Sequence, residues 1–285
     1  MKTGGVIGLG GIGGGVAQCL QRAGQLAAIH DVRAAAAGNV AGAPPMSASP
    51  RTLAEASDCV LIAVLDGAQT IAVLSGPDGV LAAGKRGQTV ILLSTIAMDD
   101  LATAHGLCAE AGVTLLDCGV TNGPKSGLNG LICLVGGSDA DVAAAQPIFD
   151  GFAGSIIHMG GPGAGMAAKI ARNTVYFGCI RAGYEGAVIA RNHGVDLGQL
   201  RMALAGDPNG GGGIEGALAL MVRPDPEGNP QETGLREYHL GLMMKDLDVA
   251  IAEAAKFGVR LPMVELMKQH GRAQSGLEHP MGEPL

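Results

Sequence analysis

The sequence predicts an α/β protein: a doubly wound sheet at the N-terminus, then an all-α C-terminal domain entered through a long helix. Three observations predict it. Short, continuously apolar runs alternate with helix-length segments through the first 160 residues. A glycine cluster follows the first of these runs. After about residue 160 helical spacing persists, and no strand-like run of comparable strength appears.

Taken in order, Gly5–Gly8 (GVIG) starts a strand, Gly13–Ala23 reads as a helix, and Leu26–His30 (LAAIH) reads as a second strand. Further strand-like runs fall at Cys59–Leu65 (CVLIAVL), Thr89–Leu93 (TVILL), Val113–Leu116 (VTLL) and Leu131–Val135 (LICLV). Each is bounded by charged, Gly or Pro punctuation, as expected of strands covered on both faces of a parallel sheet. Met98–Ala111 and Ser138–Phe149 have the length and spacing of crossover helices. Gly161–Gly165 (GPGAG) punctuates, and the stretch from Met166 to Asn192 then runs without Pro at helical spacing. Leu197–Ala205, Leu240–Phe257 and Leu261–Gln269 read as further helices. Gly206–Gly213 and Arg223–Gly234 are turn-rich and are expected to be mobile. The predicted domains are residues 1–160 and residues 161–285, the second of them helical.

Composition narrows the function. At 285 residues and 47% hydrophobic the chain has ample apolar material for a core, so overall disorder is excluded. With no Trp and 2% aromatic residues, that core must be built from Ala, Val, Leu, Ile and Met. The net charge of −7 and the lack of a basic cluster argue against nucleic acid or an anionic membrane as partner. The six cysteines stand singly and the seven histidines are scattered, so no metal site is implied and a reduced, cytoplasmic setting is expected. The longest stretch without a formal charge, Gly151–Ala168, contains Pro162, His158 and several glycines and does not read as a membrane helix.

Gly8-Leu9-Gly10-Gly11-Ile12-Gly13 matches G-x-G-x-x-G between a strand and a helix, the Rossmann-type arrangement. The first glycine permits a tight turn, the second lets backbone approach a pyrophosphate, and the third lets helix pack closely on strand. The helix N-terminus then presents free N–H groups and the positive end of its dipole. Asp31 closes the second strand, where an acid accepts hydrogen bonds from ribose hydroxyls and repels a 2′-phosphate. The expected cofactor is therefore NAD rather than NADP, with Arg33 close by as the one feature in the other direction.

Three further segments are candidates for chemistry. In GPGAGMAAKIARN, Lys169 and Asn173 are four apart and share a helix face, so together they can hold a substrate oxygen and shuttle its proton. Spacing alone equally fits a solvated Lys beside a polar neighbour. Asp117–Gly130 (DCGVTNGPKSGLNG) runs from a strand end into a glycine-rich turn at the carboxyl edge of the sheet, where open α/β sheets bind ligands. There Thr121, Asn122 and Gly123 can offer donors to a carboxylate, and an ordinary polar loop is the other reading. Lys245-Asp246 reads either as a helix-surface charge pair or as part of a site.

These pieces, in this order, resemble the β-hydroxyacid dehydrogenase family, which includes 3-hydroxyisobutyrate dehydrogenase and tartronate semialdehyde reductase. The resemblance spans about residues 4–272. GLGGIG is similar to the family's G-L-G-x-M-G, with Ile12 where Met is usual. Ser94-Thr95-Ile96 resembles the S-T-I segment near the nicotinamide ribose, and Asp117–Gly130 resembles the substrate motif D-x-P-V-S-G-G-x-x-G-A-x-x-G. Lys169 and Asn173 fall on the family's catalytic lysine and its partner, and Lys245 falls on the lysine of K-D-L that approaches the cofactor. Further positions depart from the pattern. Gly119 stands where Pro is usual, Thr121-Asn122-Gly123 stands for Ser-Gly-Gly, Lys125 adds a positive charge, and Arg172 replaces an asparagine.

The resemblance implies an NAD-dependent oxidoreductase that interconverts a small β-hydroxyacid and its aldehyde or keto acid. Lys169 would be the general acid/base, with Asn173 as its partner. Thr121, Asn122, Gly123 and Lys125 would meet a small anionic substrate. Gly8 to Gly13, Asp31, Val64, Leu65, Thr95 and Lys245 would meet the cofactor. Imine or other carbonyl reduction on the same fold is the alternative, which Lys169 counts against; a non-catalytic NAD(H)-binding protein is the alternative of another class. A homodimer or homotetramer is expected, because a Gly- and Ala-rich helical half needs a partner to bury its long helix.

Overall fold

The computed structural model describes residues 2–192, 194–205, 226–256, 258 and 260–278. The chain forms two compact units, Met1–Lys169 and Ile170–Leu285.

The first unit is built on one seven-stranded sheet: β1 (Gly4–Ile7), β2 (Leu26–His30), β3 (Cys59–Ile62), β4 (Thr89–Leu92), β5 (Thr114–Thr121), β6 (Leu131–Gly136) and β7 (Ala153–Gly160). Their spatial order is β2-β1-β3-β4-β5-β6-β7. The first five are parallel, so their carboxyl ends share one edge, and the chain reverses its winding between β1 and β3. That reversal opens the crevice in which doubly wound sheets hold ligands. Helices α1 (Gly11–Arg22), α2 (Pro50–Ala56), α3 (Gly67–Leu74), α4 (Met98–Ala111) and α5 (Asp139–Phe149) cover the sheet. The core is aliphatic as composition requires, with Val6, Leu20, Ile29, Leu61, Ile91 and Leu116 packed around Phe149 and Phe152.

The sheet departs from the expected strands in several places. β5, expected to stop at Leu116, runs on to Thr121 and takes Asp117 and Gly119 into the strand. β5 and β6 are antiparallel, because the link between them is only the 3-10 turn Gly123–Leu128, too short for a crossover. The apolar run Cys59–Leu65 is strand only to Ile62; Val64 and Leu65 turn out at the carboxyl edge, where the Val64 carbonyl accepts from Ser94 Oγ at 2.7 Å. β7 carries no long apolar run, in keeping with its place on the sheet edge, where five of its eight residues are exposed.

Helix α6 (Ala164–Asn192) begins in the first unit and continues into the second, which also contains α7 (Leu197–Ala205), α8 (Pro230–Lys256) and α9 (Pro262–Gln269). Leu240, Met243, Leu247 and Ala250 of α8 bury a stripe against Val264 and Met267 of α9, with Ile170 and Phe177 of α6 beside them. α8 starts ten residues before Leu240, inside the segment expected to be turn. Asn229 accepts the Glu232 N–H at 3.1 Å, and Pro230 occupies the first helical position, where its missing N–H costs nothing. The stretch 206–213 and Arg223–Asp225 lie outside the described residues. Among the described residues, no helix is long and apolar enough to cross a membrane.

Candidate active site

The glycine turn after β1 is shaped by close approach. Gly8 has φ +86°, and a side chain there would run into the Ala63 carbonyl at the exit of β3. A Cβ on Gly13 would collide with the Gly8 carbonyl, so α1 lies directly on the turn. Gly10 and Gly11, by contrast, face open space, and Gly10 is the N-cap of α1 with no side chain satisfying the first-turn N–H groups. No acid stands in that turn. An uncapped helix start behind two open glycines fits a pyrophosphate. Leu9 is buried below, and the Asn39 amide donates to its carbonyl at 2.8 Å, fixing the loop.

Asp31 sits at the end of β2 within reach of this turn. Its Oδ2 accepts the Leu9 N–H at 2.8 Å, and its Oδ1 accepts the Arg33 N–H at 2.8 Å. The Arg33 guanidinium completes a two-point pair with both oxygens at 3.1 and 3.2 Å, itself well exposed. Burial pushes the carboxyl up, but the Arg33 and Leu9 hydrogen bonds outweigh it and hold the pKa at about 2. Asp31 is therefore a carboxylate whose acceptor sites are taken by Leu9 and Arg33, and the exposed Arg33 guanidinium is the donor that ribose hydroxyls would displace. Val32 points outward, 93% exposed. Val64, Leu65 and Thr95 occupy the ends of β3 and β4 on the same edge.

At the end of β5 the chain turns through Asn122 (φ 67°) and leaves the turn through Asn129 (φ 51°), both left-handed. The Asn122 amide donates to the Gly130 carbonyl at 2.9 Å, so the side chain expected to meet a carboxylate also closes its own loop. Ser126 Oγ donates to the Gly11 carbonyl at 2.8 Å, and Arg22 of α1 donates to the Gly127 carbonyl at 2.7 Å. The turn is thus fastened to the helix that opens at the glycine motif, a link that spacing along the sequence does not reveal. Thr121 is partly buried, and Lys125 is exposed on the outer side.

Lys169 lies on the second turn of α6, partly buried. Its Cβ rests over Gly119 so closely that no side chain fits at 119. Asn173, one helical turn on, is 4% exposed. Its amide donates to Asp246 Oδ2 at 2.6 Å, and its oxygen accepts from Arg172 at 3.2 Å. The Arg172 guanidinium lies 4.5 Å from the centre of the Tyr176 ring. Lys245 places its ammonium 3.2 Å from Asp246 Oδ1. Asp246, which the sequence reading left in a charge pair, is thus the residue that joins Asn173 and Lys245.

Comparison with known proteins agrees with this geometry. Residues 3–161 match the model of the NAD binding domain of 6-phosphogluconate dehydrogenase. Residues 163–279 match the NAD-binding model of NADP-dependent 3-hydroxyisobutyrate dehydrogenase. The chain is 32% identical to an uncharacterized oxidoreductase of Mycobacterium tuberculosis, over 98% of this chain and 95% of that one. It is 29% identical to the NAD-dependent L-serine dehydrogenase of Pseudomonas aeruginosa, over 93% and 90%. Among solved structures it resembles M. tuberculosis 3-hydroxyisobutyrate dehydrogenase with L-serine, with TM-score 0.81, 25% identity and coverage of 99% and 96%. The chain belongs to the β-hydroxyacid dehydrogenase family. Within it, the protein is an NAD-dependent oxidoreductase acting on CH–OH groups, similar to 3-hydroxyisobutyrate dehydrogenase.

Proposed function

We propose that the enzyme oxidises a small anionic β-hydroxyacid, or reduces the matching aldehyde or keto acid, with Lys169 as the proton-transfer group. The observation that carries this reading is the seat of Lys169 on Gly119. It holds an ammonium-bearing side chain two residues before the Thr121–Gly123 turn, at the sheet edge where the glycine motif also opens.

The first-turn N–H groups of α1, reached past Gly10 and Gly11, would hold the cofactor's pyrophosphate, and Asp31 would take its adenosine ribose hydroxyls. When bound, the nicotinamide supplies the hydride chemistry. In the oxidative direction Lys169, as the neutral amine, takes the proton of the substrate hydroxyl as the carbonyl forms and becomes the ammonium; in the reductive direction the ammonium returns that proton. A cationic Nζ beside the developing alkoxide also lowers the barrier electrostatically. Asn173, held by Asp246, keeps the polar face of α6 in register with Lys169. Thr121, Asn122, Gly123 and Lys125 would bind the substrate carboxylate; the second N–H of the Asn122 amide and the exposed Lys125 ammonium support this. Lys245 would approach the cofactor.

Assembly into a homodimer or homotetramer belongs to the same reading, supported by the exposed Val175, Met202 and Met263 of the helical unit. The test of function is NADH and NADPH binding to purified protein, then a spectrophotometric screen of hydroxyacids with NAD⁺, including L-serine and 3-hydroxyisobutyrate. Tight NADH binding with turnover of at least one β-hydroxyacid is expected. Binding of neither dinucleotide would overturn the reading.

A further inference from the structure

Asp117 is the first residue of the glycine-rich segment at the end of β5, and its side chain is fully buried. Burying a carboxylate is costly unless donors meet it. Here Oδ1 accepts the Gly163 N–H and Oδ2 accepts the Met166 N–H, both at 2.7 Å. His105 of α4 brings its Nε2 to 3.8 Å from Oδ1. Burial raises the Asp117 carboxyl, but the His105 contact and the two backbone donors together bring it below the ordinary carboxylate value. Both donors belong to the start of α6, so one carboxylate grips the first turn of the helix that carries Lys169 three residues further on.

The neighbouring glycines make this grip unusually close. A Cβ on Gly165 would lie 2.6 Å from both the Asp117 carbonyl and the Gly136 nitrogen. A Cβ on Gly136 would lie 2.5 Å from Asp117 Oδ1. Gly119, on the same face of β5 as Asp117, lets the Lys169 stem lie against the strand. The helix is therefore fixed on β5 at two levels, by charge at Asp117 and by contact at Gly119. A slip of a single residue, about 1.5 Å of rise and about 100° of turn, would swing the Lys169 stem off its seat on Gly119.

We propose that Asp117 is the positioning residue for Lys169, setting through the first turn of α6 the height at which the Lys169 ammonium stands over the carboxyl end of β5. The proposal rests on the reading of Lys169 as the proton-transfer group. An ordinary helix cap would contribute stability alone; a positioning residue contributes only while Lys169 is present.

The test is a double-mutant cycle of Asp117→Asn and Lys169→Ala, read as single-turnover NADH formation from 3-hydroxyisobutyrate or L-serine, whichever is faster, with NADH binding as the control for folding. Asp117→Asn keeps the shape but can accept only one of the two N–H groups. Its turnover should fall roughly 10- to 100-fold, with NADH affinity within twofold of wild type and no further loss when added to Lys169→Ala. If Asp117→Asn does not fold, Asp117→Ser, whose hydroxyl can still accept one N–H, takes its place in the cycle with the same expected outcome. A readout independent of turnover is the ¹³C signal of reductively methylated Lys169 in the apo protein, assigned by its absence in Lys169→Ala. That signal should move in either variant. Equal losses from Asp117→Asn with and without Lys169, or an unmoved Lys169 signal, would overturn the proposal. Survival of Lys169→Ala within a few-fold of wild type would instead overturn the reading on which it rests.

Discussion

The side-chain amide of Asn173 donates to Asp246 Oδ2 at 2.6 Å, so the asparagine one turn after Lys169 on α6 is held by a carboxylate from α8. The same carboxylate lies 3.2 Å from the Lys245 ammonium through its other oxygen. Removing it takes away the acceptor of a nearly buried amide. Asp246→Ala is expected to lower turnover roughly 10- to 100-fold, the scale of a misplacement near 1 Å, and to leave NADH affinity less affected than kcat. Steady-state kinetics with titration of NADH fluorescence measures both.

In the proposed reading Asp31 and Arg33 select the cofactor, and their pairing also sets an acid limit. With Asp31→Asn, the ribose loses its charged acceptor and Arg33 is released to meet a 2′-phosphate. NADH binding should weaken at least tenfold, a loss of about 1.4 kcal/mol, while NADPH binding improves. Because the folded carboxyl is held at about 2 against an ordinary 3.8, the unfolded chain binds more protons in that interval. The stabilisation is therefore complete above about pH 4 and is lost as pH falls toward 2. It amounts to about 1–2 kcal/mol, with the share owed to exposed Arg33 screened by solvent. Acid unfolding of wild type against Asp31→Asn shows the difference.

Gly15 is the point where the turn after β5 meets α1. A Cβ there would enter the Ser126 side chain, which donates to the Gly11 carbonyl. Gly15→Ala should push the turn away from the helix, at a cost of about 1–3 kcal/mol. It should also raise the hydroxyacid KM more than it affects NADH binding. Thermal unfolding and kinetics on the same samples test this.

Much of this arrangement was legible from residue order. The alternation of apolar runs with helical segments, Gly8 to Gly13 before a helix, and Asp31 at a strand end each follow from local rules, since strand, turn and cap chemistry act over a few residues. The links between distant segments were not legible. Asp246 on Asn173, Ser126 on Gly11 and Asp117 on Gly163 join positions far apart in sequence, and no periodicity marks such a pair. β7 escaped notice because its exposed edge lacks the buried-strand pattern, and the start of α8 because Asn229 and Pro230 read as turn residues until they are seen capping a helix.

In the helical unit, Arg236 and Glu232 form a buried pair at 3.0 Å, one helical turn apart on α8, with Arg236 also donating to the Ser275 carbonyl at 2.8 Å. Glu232→Ala removes a buried carboxylate paired with a buried guanidinium. The expected loss of stability is about 3–5 kcal/mol, read from the denaturant midpoint at unchanged slope.

The central claim is the role of Lys169, and the most direct test is turnover of Lys169→Ala beside its affinity for NADH. Loss of the proton-transfer group should lower kcat by roughly 1,000-fold or more, within the range of general acid/base catalysis, while NADH binds nearly as in wild type. Turnover within a few-fold of wild type would contradict the account.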